Sequence, residues 1–219
     1  MKTLILALMI GAAMLLSAAE QPSRSVINNN KYDKVLFLDN FDDGELNQAP
    51  EWWVFDALKP SFVKAETPAQ GVYYLRLQGS AKNYYIGGMG FYFGRDAAQY
   101  DAVVLDVKGS GRPAILRIQL FEDDHGGYTL EQDANFQPTQ DDQWEHELLV
   151  DWEGWRTVEI PFSRFVLANP GVGDGIWNPD TENGYCGLLH FQLILALPKA
   201  EGSADIGLNN LCFVRLKNK

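Results

Sequence analysis

The run Ala114-Ile115-Leu116-Arg117-Ile118-Gln119-Leu120-Phe121 alternates, so that Leu116, Ile118 and Leu120 face a core while Arg117, Gln119 and Phe121 share the outward face. His190 and Gln192 share an outward face in the same way, in a stretch whose Leu189, Phe191, Leu193 and Leu195 point inward. A guanidinium, two amides, an imidazole and a ring on such strands could hydrogen-bond to, and stack against, a neutral polar ligand. Tyr84, Tyr92, Tyr128, Trp144 and Trp177 are further candidate stacking surfaces. With 6 Trp and 9 Tyr, however, most rings must fill the core or cover sheet ends.

Catalytic constellations are missing. Glu145, Glu147, Asp151 and Glu153 do not reproduce the spacing that sets an acid and a nucleophile on one strand face, and a turn is expected between Glu147 and Asp151. His125, His146 and His190 are too scattered for a zinc site, neither Cys has a nucleophile motif, and no Gly-rich phosphate loop joins a strand to a helix. The sequence therefore reads as a non-enzyme.

The elements that would hold these residues are short and punctuated. Val35–Leu38, Trp52–Phe55, Tyr73–Leu77, Ala102–Lys108, Ala114–Phe121, Leu188–Leu197 and Ile206–Leu216 read as strands, with weaker segments around Tyr128 and over Glu145–Val150. Tyr84 through Phe93 is an aromatic run broken by Gly87, Gly88 and Gly90, which implies close backbone approach or bulges. Trp52 and Trp53 must split, one inward and one outward. Residues 167–185 form a long loop carrying Trp177 and Tyr185. Helical periodicity is absent beyond the N-terminus, so the pattern is that of an all-β sandwich or barrel.

At 219 residues the chain fits one such domain. Lys2, the apolar run from Leu4 to Leu16 and Ser17-Ala18-Ala19 predict a secretory signal over residues 1–19 and an exported protein, periplasmic or extracellular. A polar leader over 20–33 and a single domain over 34–219 follow. The net charge of −11 argues against nucleic acid and anionic lipid as partners, and no later stretch reads as a membrane insertion. Cys186 and Cys212 lie in the exported part, where a disulfide and two buried free thiols are both open.

Val158, Ile160 and Phe162 alternate with Thr157, Glu159 and Pro161, the pattern of a half-buried strand. Pro161 cannot donate to a ladder, so pairing ends there or the strand lies at an edge, with Phe162 and Phe165 pinning the outgoing turn to the core. The stretch from Trp155 to Phe165 resembles the Trp-x-x-Val-x-Ile-Pro-Phe-Ser-x-Phe pattern shared by family 11 carbohydrate-binding modules and the complex I intermediate-associated protein family. Leu38-Asp39-Asn40-Phe41-Asp42-Asp43-Gly44 looks like the opening of the former. Ala102 to Gly111 resembles their strand ending in Gly-Ser-Gly, and Ile206 to Leu211 resembles their closing strand.

That resemblance implies a galactose-binding-like jelly-roll β-sandwich of two antiparallel sheets, with a polysaccharide such as a β-glucan held on the concave sheet. Arg117, Gln119, Phe121, His190 and Gln192, with Tyr84, Tyr128 and Trp177, would then be the ligand-binding residues. It also implies a structural Ca2+ joining the first and last strands, for which Asp42, Asp43 and Asn210 are the candidates. Asp42 stands where Glu is usual and Asn209-Asn210 where Asp is usual, and an Asx-rich turn satisfied by its own backbone is the alternative. The second functional reading is an assembly or partner-binding protein on the same fold. A binder would gather Arg117, Gln119, His190 and Gln192 in one groove with a ring beside them, whereas a partner-binding protein would show an apolar patch without polar convergence.

Overall fold

Gly202–Leu216 forms the longest strand, β12, and the first sheet is assembled on it. In the computed structural model, which describes residues 31–67 and 71–217, β12 pairs along one edge with β6 (Ala102–Ser110) and along the other with two strands in succession. Its first half takes β4 (Tyr73–Ala81) and its second half β1 (Tyr32–Asp39). β3 (Lys59–Lys64) and β9 (Glu153–Pro161) close the two sides of this sheet. The second sheet runs β10-β8-β7-β11-β5-β2, that is Val166–Leu167, Gln143–Val150, Ala114–Glu122, Leu188–Ala196, Tyr85–Arg95 and Trp53–Asp56. All pairs are antiparallel, and the fold is a jelly-roll β-sandwich.

The alternation read from the sequence fills the space between the sheets. Leu116, Ile118 and Leu120 from one sheet meet Val103, Leu105 and Val107 from the other, all at most 1% exposed. β9 is an edge strand that ends its pairing at Pro161, and Phe162 and Phe165 beyond it are buried, so the turn is pinned as its residues dictate. Trp52 is buried and Trp53 half-buried, the expected split.

Several local expectations are corrected. The signal segment and most of the leader lie outside the described residues, but β1 begins at Tyr32, within the span read as leader. Its partner, Leu216, comes from the opposite end of the chain and leaves no local trace. β3 was not legible, and the segment around Tyr128 is a loop with only an isolated bridge from Gln132 to Pro138. A register shift between Leu188 and His190 puts Leu188, rather than Leu189, into the core cluster. Cys186 and Cys212 are both buried and free: Cys186 Sγ lies 3.4 Å from the Tyr92 hydroxyl, while Cys212 belongs to the other sheet. Among the described residues no helix is long and apolar enough to cross a membrane.

Candidate functional site

Register brings the candidate residues together in rows. Across β8, β7, β11, β5 and β2, Glu147, Arg117, Ile194, Gly88 and Phe55 stand opposite one another in turn. The next row is Glu145, Gln119, Gln192, Gly90 and Trp53. A third holds Gln143, Phe121, His190 and Tyr92. Because side chains alternate across a sheet, all of these share the outward face. Of these, Arg117, Ile194, Phe55, Gln119, Gln192, Trp53, Gln143, Phe121 and His190 line a groove of about 660 Å³ that also takes Asp56, Tyr85 and the loop residues Gln132, Asn135, Phe136 and Gln137.

The two glycines explain how the aromatic side of the groove forms. A Cβ on Gly90 would stand 2.6 Å from Gln192 Cγ and 2.9 Å from Trp53 Cζ2, and one on Gly88 would stand 2.5 Å from both Ile194 Cδ1 and Phe55 Cζ. Bare backbone on β5 thus lets the rings of β2 lie over it beside the polar side chains of β11.

The polar side is set by β8. Gln119 Nε2 donates to Glu145 Oε2 at 2.7 Å, and Arg117 Nε lies 2.6 Å from Glu147 Oε1, an ion pair by distance that lacks hydrogen-bond angles. These carboxylates hold the guanidinium and the amide in place and leave the Gln119 carbonyl oxygen free to accept. Gln192 makes no side-chain hydrogen bond among the described residues. Opposite, the Tyr85 hydroxyl donates to Asp56 Oδ2 at 2.6 Å.

His190 sits among the rings of Trp53, Tyr92 and Phe121, with centroids 5.1, 5.9 and 6.1 Å away. Burial lowers its pKa from the usual 6.5 to about 4, so the imidazole is neutral at physiological pH, and its Nδ1 is buried without a partner. The Tyr92 hydroxyl beside it, hydrogen-bonded to Cys186 and partly buried, is pushed up to about 12 and stays neutral too. Between pH 6.5 and 4 the unfolded state binds the His190 proton and the folded state does not, so this residue makes the protein less stable as the pH falls through that window. Urea unfolding is expected to show the wild type losing stability relative to His190→Gln from pH 6.5 down to about 4, with a constant difference above pH 7.

The loop that overhangs the groove is a tight hydrogen-bonded turn. Asp133 Oδ1 accepts from the amides of Asn135 and Gln137 at 2.8 and 2.9 Å, and Gln132 Nε2 donates to the Phe136 carbonyl at 2.9 Å. They hold Phe136 at φ +61°, a region that non-glycine residues seldom occupy, with its ring 77% exposed.

Of the residues singled out from the sequence, Arg117, Gln119, Phe121, His190 and Gln192 meet in this groove, although Phe121 is only 3% exposed and lies on its floor. Tyr84, Tyr128 and Trp177 do not line it. Tyr84 occupies a turn at φ +69°, because a register shift between Leu195 and Ala196 changes the parity of β5 and admits Tyr85 in its place. Tyr128 is exposed on its loop, where its carbonyl accepts the Tyr92 hydroxyl. Trp177 packs against Trp144 and Phe162 and covers the core. Trp53 and Phe55 carry the same parity signal as the Trp52-Trp53 split and were open to the same reasoning. The 132–137 loop has no period to read.

Near the first strand, Asp42 Oδ1 accepts the Val72 amide at 2.6 Å and its Oδ2 accepts Asn40 Nδ2. Asp43 Oδ1 accepts the Glu45 amide, and Asn210 Nδ2 donates to Asp106 Oδ2. Of these only the Asp43 contact is that of an Asx turn; Asp42 holds the distant Val72 segment, and Asn210 ties β12 to β6.

Comparison with known proteins finds the same fold in several solved structures. Residues 89–175 match the family model described as Complex I intermediate-associated protein 30. No curated protein sequence matches the chain. A family 11 carbohydrate-binding module from Clostridium thermocellum, solved with a beta-1,3-1,4-mixed-linked tetrasaccharide, is similar with a TM-score of 0.57 at 19% identity, over 84% of this chain and 98% of that one. The family 11 module of a cellulosomal cellulase of the same organism gives 0.56 at 17%, over 85% and 97%. An exo-beta-agarase gives 0.54 at 9% identity, over 85% of this chain and 25% of its own. The chain resembles both groups that its motifs point to, and it shares the jelly-roll fold of the family 11 modules.

Proposed function

We propose that the protein is an exported, non-catalytic carbohydrate-binding protein that holds a polysaccharide of the β-glucan kind in the groove over β7, β11, β5 and β2. The observation that carries this reading is the convergence of Arg117, Gln119, His190 and Gln192 with Trp53, Phe55, Tyr85 and Phe136 along one groove. Sugars present hydroxyl edges and apolar C–H faces, and a file of amides and a guanidinium beside a file of rings answers both. Asp56 is the one carboxylate in the lining, and its neighbour there is the Tyr85 hydroxyl rather than a second acid, which supports binding over glycoside hydrolysis. Export rests on the composition of residues 1–19.

A partner-binding role is the second reading, favoured by the match over residues 89–175. Affinity electrophoresis separates the two. Under the carbohydrate reading, at least one soluble β-glucan retards the protein, and Arg117→Ala weakens that retention about fivefold, the worth of one hydrogen bond of about 1 kcal/mol. Absence of retardation by every glycan of a broad panel would overturn it in favour of a protein partner.

A further inference from the structure

Beyond the end of the groove, two acidic pairs face one another. Glu122 closes β7 and is followed by Asp123-Asp124, and Asp141-Asp142 leads into β8. The pairs are stitched by their backbones: Asp141 Oδ1 accepts the Asp124 amide at 3.1 Å, and Asp124 Oδ2 accepts the Asp142 amide at 2.8 Å. Successive side chains then diverge into two groups, Asp123 and Asp141 with His125 in one, and Glu122, Asp124 and Asp142 in the other. Within each group the candidate ligand atoms lie within 4.8 Å of one another.

The groups differ in how their charge is met. In the first, His125 Nδ1 lies 3.5 Å from Asp141 Oδ1 and 3.4 Å from Glu131 Oε2, so the acids have a ring nitrogen beside them. In the second, among the described residues, no Lys, Arg or His nitrogen comes within 4.0 Å of any of the three carboxylates. Asp142 is wholly buried; its Oδ2 accepts the Gly175 amide at 2.7 Å, and its Oδ1, which faces Gly173 together with Asp124 Oδ2, has no partner in hydrogen-bond geometry among the described residues, although the Gly173 and Ile176 backbones lie near the carboxylate. Glu122, 1% exposed, is oriented by Trp144 Nε1 at 3.0 Å and by the Asn178 amide at 3.1 Å. Gly173 presses against the group from the long loop: a Cβ there would collide with Asp124 Oδ2 and stand 2.5 Å from Asp142 Oδ1.

Crowding two buried carboxylates and a half-buried one around an oxygen without a hydrogen-bond partner of its own is costly unless a positive charge joins them. The donor set is all oxygen, which suits a hard cation that takes several carboxylates, and the amide and indole donors behind it are the outer contacts that orient such ligands. We propose that Glu122, Asp124 and Asp142 form a binding site for a divalent cation of the calcium type. Phe121 and Gln143, the immediate neighbours of two of these ligands, line the groove, so the ion would brace one end of the groove while owing nothing to what the groove binds.

The test is a terbium titration of the full chain after treatment with chelator, exciting tryptophan. Trp144 lies against Glu122 and is the expected energy donor. The site predicts saturable sensitised emission that calcium displaces, at least about tenfold weaker in Asp142→Asn, and unchanged in His125→Ala and Asp42→Asn. Calcium alone is expected to raise the melting temperature of the wild type and leave that of Asp124→Asn unmoved. The partly exposed Asp124 provides the second variant should Asp142→Asn fail to fold. Emission that survives both Asp142→Asn and Asp124→Asn, or that disappears in His125→Ala or Asp42→Asn, would put the ion elsewhere and overturn the assignment. So would the absence of any calcium effect on wild-type melting.

Discussion

Phe213→Ala is expected to destabilise the folded protein by about 3–5 kcal/mol and to lower its melting temperature by roughly 10 °C. Phe213 belongs to β12, the strand on which the first sheet is built, and it is wholly buried. Its ring lies 5.4 Å from Phe93 and 6.1 Å from Phe191, both in the second sheet, and 5.4 Å from Phe162 at the turn after β9. One side chain therefore joins both sheets and the turn that Pro161 initiates. The rings around it belong to separate strands paired through their backbones, so they cannot collapse together to fill the space that Ala would leave. Equilibrium unfolding in denaturant, followed by circular dichroism, measures the loss, with Phe213→Leu retaining most of the stability. A cost below about 1 kcal/mol would show that the sheets do not depend on this ring for their packing.

The parts of the fold that alternation governs were legible in the sequence. Arg117 and Gln119 face outward because Leu116, Ile118 and Leu120 face the core, and no irregularity interrupts β7 between them. Parity fails where a strand slips by one residue. The shifts near Leu188 in β11 and near Tyr85 in β5 are single-residue events that gave Leu188 the place of Leu189 in the cluster between the sheets, though both are buried, and put Tyr85, rather than Tyr84, in the groove. The glycines at 87, 88 and 90 signalled close approach correctly without showing which rings would come close. Tyr32 reads as polar leader because the strand that completes it is β12, far away in the chain. Phe136 and its turn owe their position to side-chain hydrogen bonds from Asp133 and Gln132, for which local periodicity has no counterpart. The acidic residues at 122–124 and 141–142 carry no periodicity that would join them; the fold brings them face to face and buries Glu122 and Asp142.

On the carbohydrate reading, Trp53→Ala is expected to weaken glycan retention by about thirtyfold, an effect of about 2 kcal/mol of the kind that buried aromatic anchors contribute. Trp53 stands at the aromatic end of the row that contains Gln119 and Gln192, over the bare backbone of Gly90, with its ring 5.1 Å from His190. A pyranose ring on that indole would have its hydroxyl edge toward the amides of the same row, so stacking and hydrogen bonding would be lost together. Phe136, held by its loop at the rim and largely exposed, desolvates less on binding, and Phe136→Ala is expected to cost only a few-fold. Trp53 also packs partly on the core, so melting of the variant must be checked and affinity compared where both proteins are folded. Trp53→Phe keeps a smaller ring in place and is expected to recover part of the loss, and Tyr84→Ala, on its turn outside the groove, is expected to change nothing. Undiminished retention by Trp53→Ala would remove the ligand from this row and leave the polar file on β7 and β11 without the stacking surface that a sugar requires.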